Sequence, residues 1–237
     1  MFDPPFQWPF WLKSLRPPSI CHICEAWPSS AICETCVAQF AQPIPRCPTC
    51  ALPLIKSTCS VCYDEPPPLD QCIAAVTYGY PWAECIAQFK FNGDVGLGRQ
   101  LAYLMRHTPW SEPALEAADS VIAIPLSASR LRERGFNQSH ELAKYLAPKK
   151  TDIHVLRRLE HRSHQVGASR AERLAQTQNA FWIEPRQISY LQGKKLVLVD
   201  DVMTTGATLF EAARVLRKAG AVHITGLVFA RAELTQP

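Results

Sequence analysis

Leu196-Val197-Leu198-Val199-Asp200-Asp201-Val202-Met203-Thr204-Thr205-Gly206-Ala207-Thr208 is the stretch that decides how this chain is read. Its first four residues are an unbroken apolar run, which suits a parallel strand buried on both faces. Two carboxylates follow at once, at the carboxyl end of that strand, where open α/β sheets bind their ligands. Threonines and a glycine then open a helix, in which Leu209, Ala212, Ala213 and Leu216 recur at helical spacing. Arg217 and Lys218 fall in its last turn and Gly220 just beyond, a C-terminal stop. Backbone N–H groups of such a turn make an anion site, and Thr204, Thr205 and Thr208 add hydroxyl donors. The turn lacks the Gly-x4-Gly-Lys-[ST] spacing of a triphosphate loop, so it suits a single phosphate. Asp200 and Asp201 cannot hold that phosphate, but they can accept hydrogen bonds from neighbouring ribose hydroxyls. A sugar phosphate is therefore the expected ligand. The plainer alternative is a strand end whose acids merely cap the next helix.

Outward from this stretch, strand-like and helix-like segments alternate from residue 72 onward, the pattern of an α/β domain with a mostly parallel sheet. Short β-type runs fall at 120–124, 153–156 and 222–230, besides 196–199. Leu97, Leu101, Leu104 and Met105 mark another helix. Cys85 shares a helical face with Trp82, Ile86 and Phe89 and reads as a small buried apolar residue. Cys72 stands alone.

Ahead of residue 72 the composition changes. All ten cysteines precede Arg99, and thirteen of the twenty prolines precede Leu69. Eight cysteines form four Cys-x-x-Cys pairs: Cys21/Cys24, Cys33/Cys36, Cys47/Cys50 and Cys59/Cys62. The second half repeats the first at an offset of 26 residues. Each pair points two thiolates at one place, and two pairs complete a tetrahedron around Zn²⁺. Two structural zinc sites follow, read most simply as sequential pairs, with an interleaved pairing left open by spacing. A disulfide framework would require export, and the aromatic, proline-bearing start of the chain has no basic flank of an export signal. The module is too short and proline-rich to bury much apolar surface, so metal must supply most of its folding energy. His22, inside the first knuckle, reads as a spectator. Residues 1–71 carry four Lys/Arg against six Asp/Glu, which points to a structural or docking role rather than a nucleic-acid face. Pro66-Pro67-Pro68 reads as a short stiff linker. Three parts result: an aromatic and proline-rich lead segment (1–19), a double zinc ribbon (20–71) and an α/β domain (72–237).

The thirteen positions 196–208 look like the phosphoribosyl-pyrophosphate (PRPP) signature of type I phosphoribosyltransferases. Other segments narrow the likeness: the cysteine pairs, Phe89-Lys90-Phe91-Asn92-Gly93, Pro125-Leu126, Glu133-Arg134-Gly135-Phe136-Asn137-Gln138, and 162–179 with Arg162, Gln165, Arg170 and Asn179. Together they resemble the ComF family of competence-associated phosphoribosyltransferases, over nearly all of residues 20–231. Ala51 departs from the family, in which the second ribbon often has glycine after its knuckle. The resemblance implies a type I phosphoribosyltransferase fold, a twisted parallel five-stranded sheet flanked by helices. It also implies a hood at 72–90, Mg²⁺ accompanying PRPP, and phosphoribosyl transfer to an acceptor no motif encodes. By the same resemblance Asp200 and Asp201 would hold the ribose hydroxyls and shape the metal site, and 204–208 the 5′-phosphate. Pro125-Leu126-Ser127 would begin the pyrophosphate loop, with Arg130, Arg132 and Arg134 in it or just after it. Residues 157–173 would be a closing flap, and Lys90 a further pyrophosphate contact or simply a solvated lysine.

Residues 125–175 carry eleven Lys/Arg and five Asp/Glu, a net of +6 against +4 for the whole chain. Pyrophosphate alone accounts for such a field. A basic groove with Phe136 or Trp182 could also track single-stranded DNA. His161 and His164 read as solvated. Without a triphosphate loop the chain cannot drive DNA import, so an ATP-driven translocase would be a separate partner. No stretch reaches the ~20 apolar residues of a membrane span, and a cytoplasmic location is the expectation. Two functions remain open: a PRPP-dependent enzyme in natural transformation, or a non-catalytic PRPP-sensing or DNA-binding component of that machinery.

Overall fold

The computed structural model describes residues 19–54, 59–91, 94–159 and 180–233. In chain order, α1 (Glu34–Phe40) and α2 (Ser60–Asp64) belong to the cysteine-rich region and β1 (Gln71–Thr77) opens the sheet. Then come α3 (Trp82–Phe91), α4 (Val95–His107), α5 (Ser111–Ala117), β2 (Ser120–Ala123), α6 (Ala128–Arg134), α7 (Gln138–Leu146), β3 (Thr151–Asp152) and β4 (Leu156–Arg158). The chain continues through β5 (Phe181–Ile183), α8 (Ile188–Leu191), β6 (Lys195–Met203), α9 (Ala207–Lys218) and β7 (His223–Arg231).

Five strands form a wholly parallel sheet in the order β1-β7-β6-β2-β3. Alternation along β6 divides the core. Val197 and Val199 face a layer with Leu101, Met105, Leu142 and Phe229, whereas Leu196 and Leu198 face Leu209, Ala213 and Leu216. Burial on both faces is why the run at 196–199 contains no polar residue. At about 25 cal/mol per Å² of apolar surface removed from water, these two layers dominate the stability of the domain.

The structure corrects three expectations. The strand expected at 196–199 runs on to Met203, held by β7 through the pair Met203↔Arg231, so both acids lie within it. Of the strand expected at 153–156 only Leu156 lies in a strand: β3 ends at Asp152 in the main sheet, and β4, which starts at Leu156, pairs antiparallel with β5. His154 and Val155 N–H groups both donate to Asp152 Oδ1, turning the chain between them. Residues 71–77 are the edge strand of the main sheet rather than part of a hood. Residues 128–134 are a helix, so Arg130, Arg132 and Arg134 ride on α6, just after the loop that begins at Pro125. Ser127 caps that helix, accepting from the Arg130 N–H.

The cysteine-rich region is seated on the sheet. Trp82 Nε1 donates to the Phe40 carbonyl at 3.0 Å, and His22 Nε2 stands 3.2 Å from Asp94 Oδ2, beside the start of α4. On the second ribbon, Arg46 reaches both the Ala51 carbonyl and Thr77 Oγ1, at 3.2 and 3.0 Å. The Pro48 carbonyl accepts from the Cys72 N–H at 2.7 Å, which satisfies part of the open edge of β1. Ala51 has φ 56°, as Glu25 does at the matching place after the first knuckle with φ 60°. A left-handed alanine costs roughly 1–2 kcal/mol. Its fully buried methyl group returns part of that.

Candidate functional site: the end of β6 and the turn into α9

The two acids at the end of β6 have different neighbours. With Thr204, Thr205, Ala207 and Thr208, Asp200 lines a concavity of about 30 Å³ at the head of α9. Asp201 meets the last turn of α3. There Lys90 Nζ stands 2.9 Å from Asp201 Oδ2, with both side chains largely withdrawn from solvent.

Asp200 Oδ1 accepts from Ser139 Oγ at 2.8 Å and from the Asp201 N–H at 2.9 Å. Burial, and then the Asp201 charge, push its carboxyl up to about 7; the Ser139 and Asp201 hydrogen bonds and Lys90 pull the other way. Ser139 is buried in the first turn of α7, whose start is fixed by Asn137: its Oδ1 caps the helix and its Nδ2 donates to the Ile124 carbonyl. Thus the segment 133–138 aims Ser139 at the end of β6.

Gly206 makes the turn. Its φ is 86°, and a Cβ there would lie 2.6 Å from the Phe210 ring and 2.7 Å from Met203 Cε. No other residue fits without displacing both. Thr205 Oγ1 accepts from the Ala207 N–H at 3.3 Å, and Thr204 is exposed at the rim. Val202 and Met203 complete the strand end.

Of the remaining candidates, Arg134 stacks over Phe91 at 5.3 Å and donates to Gln138 Oε1 at 3.0 Å, which brings α6 against the residue after Lys90. Pro125, Leu126 and Ser127 connect β2 to α6. Burial, then the charge of Arg130, lowers the Arg158 pKa while Asp200 raises it, so these three groups share one neighbourhood. Arg162, Arg170, His161 and His164, and most of the expected flap, lie outside the described residues. Phe136 is partly buried and packs 5.6 Å from Phe89 against the core. Trp182 is 38% exposed on β5, directly across from the exposed Arg157 on β4.

Sequence reasoning missed Ser139, Arg158 and Arg231. Ser139 carries no local mark, because its partner is 61 residues away. Arg231 did leave one: an arginine ending an apolar strand run.

The eight cysteines form two separate clusters, Cys21/Cys24/Cys33/Cys36 and Cys47/Cys50/Cys59/Cys62. Pairing is therefore sequential, and the interleaved arrangement is excluded. Sulfur–sulfur separations are 3.9 and 3.7 Å in the first and 3.7 and 3.7 Å in the second. Sulfurs at ~2.3 Å from a tetrahedral zinc ion stand ~3.8 Å apart, so both clusters fit the metal, and they are far too open for disulfides. His22 is not among the ligands. Cys72 and Cys85 are buried thiols, pushed up by burial to about 12 and about 11.

Comparison with known proteins agrees with this arrangement. Residues 132–237 match the family described as phosphoribosyl transferase domain. The "DNA utilization protein YhgH" of Salmonella typhimurium is 30% identical over 221 residues, covering 89% of this chain and 96% of that protein. "Competence protein F" of Haemophilus influenzae is 30% identical over 212 residues, 86% of this chain and 91% of its own length. This chain belongs to the ComF family. "Competence protein ComFC" of Bacillus subtilis extends the likeness, 30% identical over 203 residues, 81% of this chain and 80% of that one. In this ComF protein no helix among the described residues is long and apolar enough to cross a membrane. A cavity of about 630 Å³ between the ribbon connection and β1 is lined by none of the residues at the end of β6.

Proposed function

We propose that this protein binds PRPP at the end of β6 and transfers its phosphoribosyl group, acting in the handling of single-stranded DNA. The observation that carries the reading is the pairing of a half-buried Asp200 with a glycine-opened, hydroxyl-bearing turn at the carboxyl edge of a parallel sheet. The 5′-phosphate fits the 204–208 turn, where N–H groups at the head of α9 converge. Asp200, held by Ser139, accepts from a ribose hydroxyl. Asp201 orders Lys90, whose ammonium then lies beside the pyrophosphate together with Arg130 and Arg134 from α6. Asp200 and Asp201 are the groups that would hold Mg²⁺, which neutralises the leaving pyrophosphate. These residues fix the sugar and spread positive charge around the departing group, so catalysis is positioning and electrostatic stabilisation. Arg162 and Arg170 remain candidates for closure over the bound substrate.

A second reading makes the protein a non-catalytic PRPP sensor or DNA-binding component. The exposed Arg157–Trp182 pair favours a DNA-binding role in either case, since it sets a cation beside a stacking platform. An ATP-driven translocase partner and a cytoplasmic site of action belong to the same proposal. Incubation with PRPP, Mg²⁺ and a panel of bases, nucleotides and single-stranded DNA separates the two. Pyrophosphate release that depends on an acceptor supports the enzyme, and binding without release supports the sensor.

A further inference from the structure

Arg231, the last residue of β7, is 2% exposed. Its Nε donates to the Cys50 carbonyl at 2.8 Å. Its Nη1 donates to the Met203 carbonyl at 3.1 Å, to the Ala232 carbonyl at 2.7 Å and to the Thr204 carbonyl. One guanidinium thus holds a knuckle of the second cysteine cluster and the first carbonyls of the phosphate turn. Its planar fork can do this, and a lysine ammonium has no such reach. Among the described residues no carboxylate pairs with it. An unpaired buried charge is costly, so its counter-charge must come from elsewhere. Zn²⁺ held by four thiolates has a net charge of −2, and Cys50 is one of those ligands. Arg46, in the knuckle just before Cys47, is a second arginine close to the same cluster. Among the described residues the first cluster makes no comparable contact: its ties run to α3 and α4 through Phe40 and His22.

We propose that Arg231 is a positioning residue that couples metal in the second ribbon to the shape of the phosphate turn. With zinc bound, the tetrathiolate fixes the Cys50 carbonyl and balances the guanidinium, which in turn holds Met203 and Thr204. When the metal leaves, Arg231 loses an anchor and its counter-charge, and the amides of the turn lose their common aim. PRPP affinity then depends on the second zinc site far more than on the first. This rests on the PRPP reading, but the change in the turn does not require it.

Cys33→Ser and Cys59→Ser occupy matching places in the two ribbons and test the asymmetry. Zinc content, calorimetric titration with Mg²⁺ and PRPP, and hydrogen exchange of peptides spanning 200–210 are measured for both. Each variant is expected to lose one zinc. Cys59→Ser should lose about tenfold more PRPP affinity than Cys33→Ser, with faster exchange at the turn. Equal losses, or unchanged exchange in Cys59→Ser, overturn the coupling. Arg231→Lys is the second arm, because it retains the buried charge without the fork. Two bound zincs with about tenfold weaker PRPP and a faster-exchanging turn support the proposal; wild-type affinity and exchange refute it. If the wild-type protein fails to bind PRPP, the ligand reading falls, while exchange at the turn still decides the coupling.

Discussion

Lys90 Nζ lies 2.9 Å from Asp201 Oδ2, with 18% and 11% of the two side chains exposed. The contact joins the end of α3 to the end of β6 across more than a hundred residues of sequence. It turns the Asp201 carboxylate toward α3.

Lys90→Gln removes a pair that is neither fully buried nor freely solvated. Surface pairs contribute about 0–1 kcal/mol and breaking buried ones costs about 3–5, so a loss of about 2 kcal/mol is expected. Chemical denaturation measures it. PRPP affinity should fall about tenfold in the same variant, because Lys90 both orders Asp201 and faces the pyrophosphate.

Asp200 sets a pH dependence. Its folded pKa of about 7 lies above the ordinary 3.8, so between those values the folded state holds a proton that the unfolded state has lost. This group's contribution to stability is therefore present at low pH and declines as pH rises from about 4 to about 7. PRPP binding runs the opposite way, since the ionised carboxylate is the better acceptor of a ribose hydroxyl. Ser139→Ala removes a hydrogen bond that favours the charged form. Its binding midpoint should shift to higher pH than wild type in matched buffers, where titration of the ligand cancels. Identical profiles would exclude Ser139 as the residue that tunes Asp200.

Gly206→Ala forces a left-handed alanine against Phe210 and Met203. Backbone strain and crowding together should cost about 2–3 kcal/mol. Phosphate and PRPP binding should disappear while both zinc ions remain, as read by calorimetry and metal analysis.

Arg157→Ala with Trp182→Ala removes a cation and a stacking ring from the exposed face of the β4–β5 hairpin. Loss of stacking alone is about 1–3 kcal/mol, so single-stranded DNA affinity should drop at least about tenfold. Wild-type affinity should also fall steeply as salt rises. A flat salt response, or an unchanged double variant, removes this face from DNA binding.

Much of this molecule could be read from local sequence. The apolar run at 196–199, the acids, Gly206 and the helix stop at Gly220 are one continuous signal, and the structure places them in that order. The cysteine repeat likewise encodes its ligands at fixed short spacing, and only the choice between sequential and interleaved pairing needed coordinates. What could not be read depends on distant partners. Residues 71–77 are an edge strand because β7 pairs with them, and 153–156 break because Asp152 caps a turn there. Lys90, Ser139 and Arg231 acquire roles through neighbours 111, 61 and 181 residues away along the chain. No periodicity records such pairings.

The most direct measurement is calorimetric titration of Mg²⁺ and PRPP into the wild-type protein and into Asp200→Asn/Asp201→Asn, with zinc content determined on both. Hydrogen bonds to charged groups contribute about 1.5–3 kcal/mol each, so the double variant should keep two zinc ions and bind at least about a hundredfold more weakly. Equal affinity in the two proteins would contradict the assignment of the sugar phosphate to the end of β6.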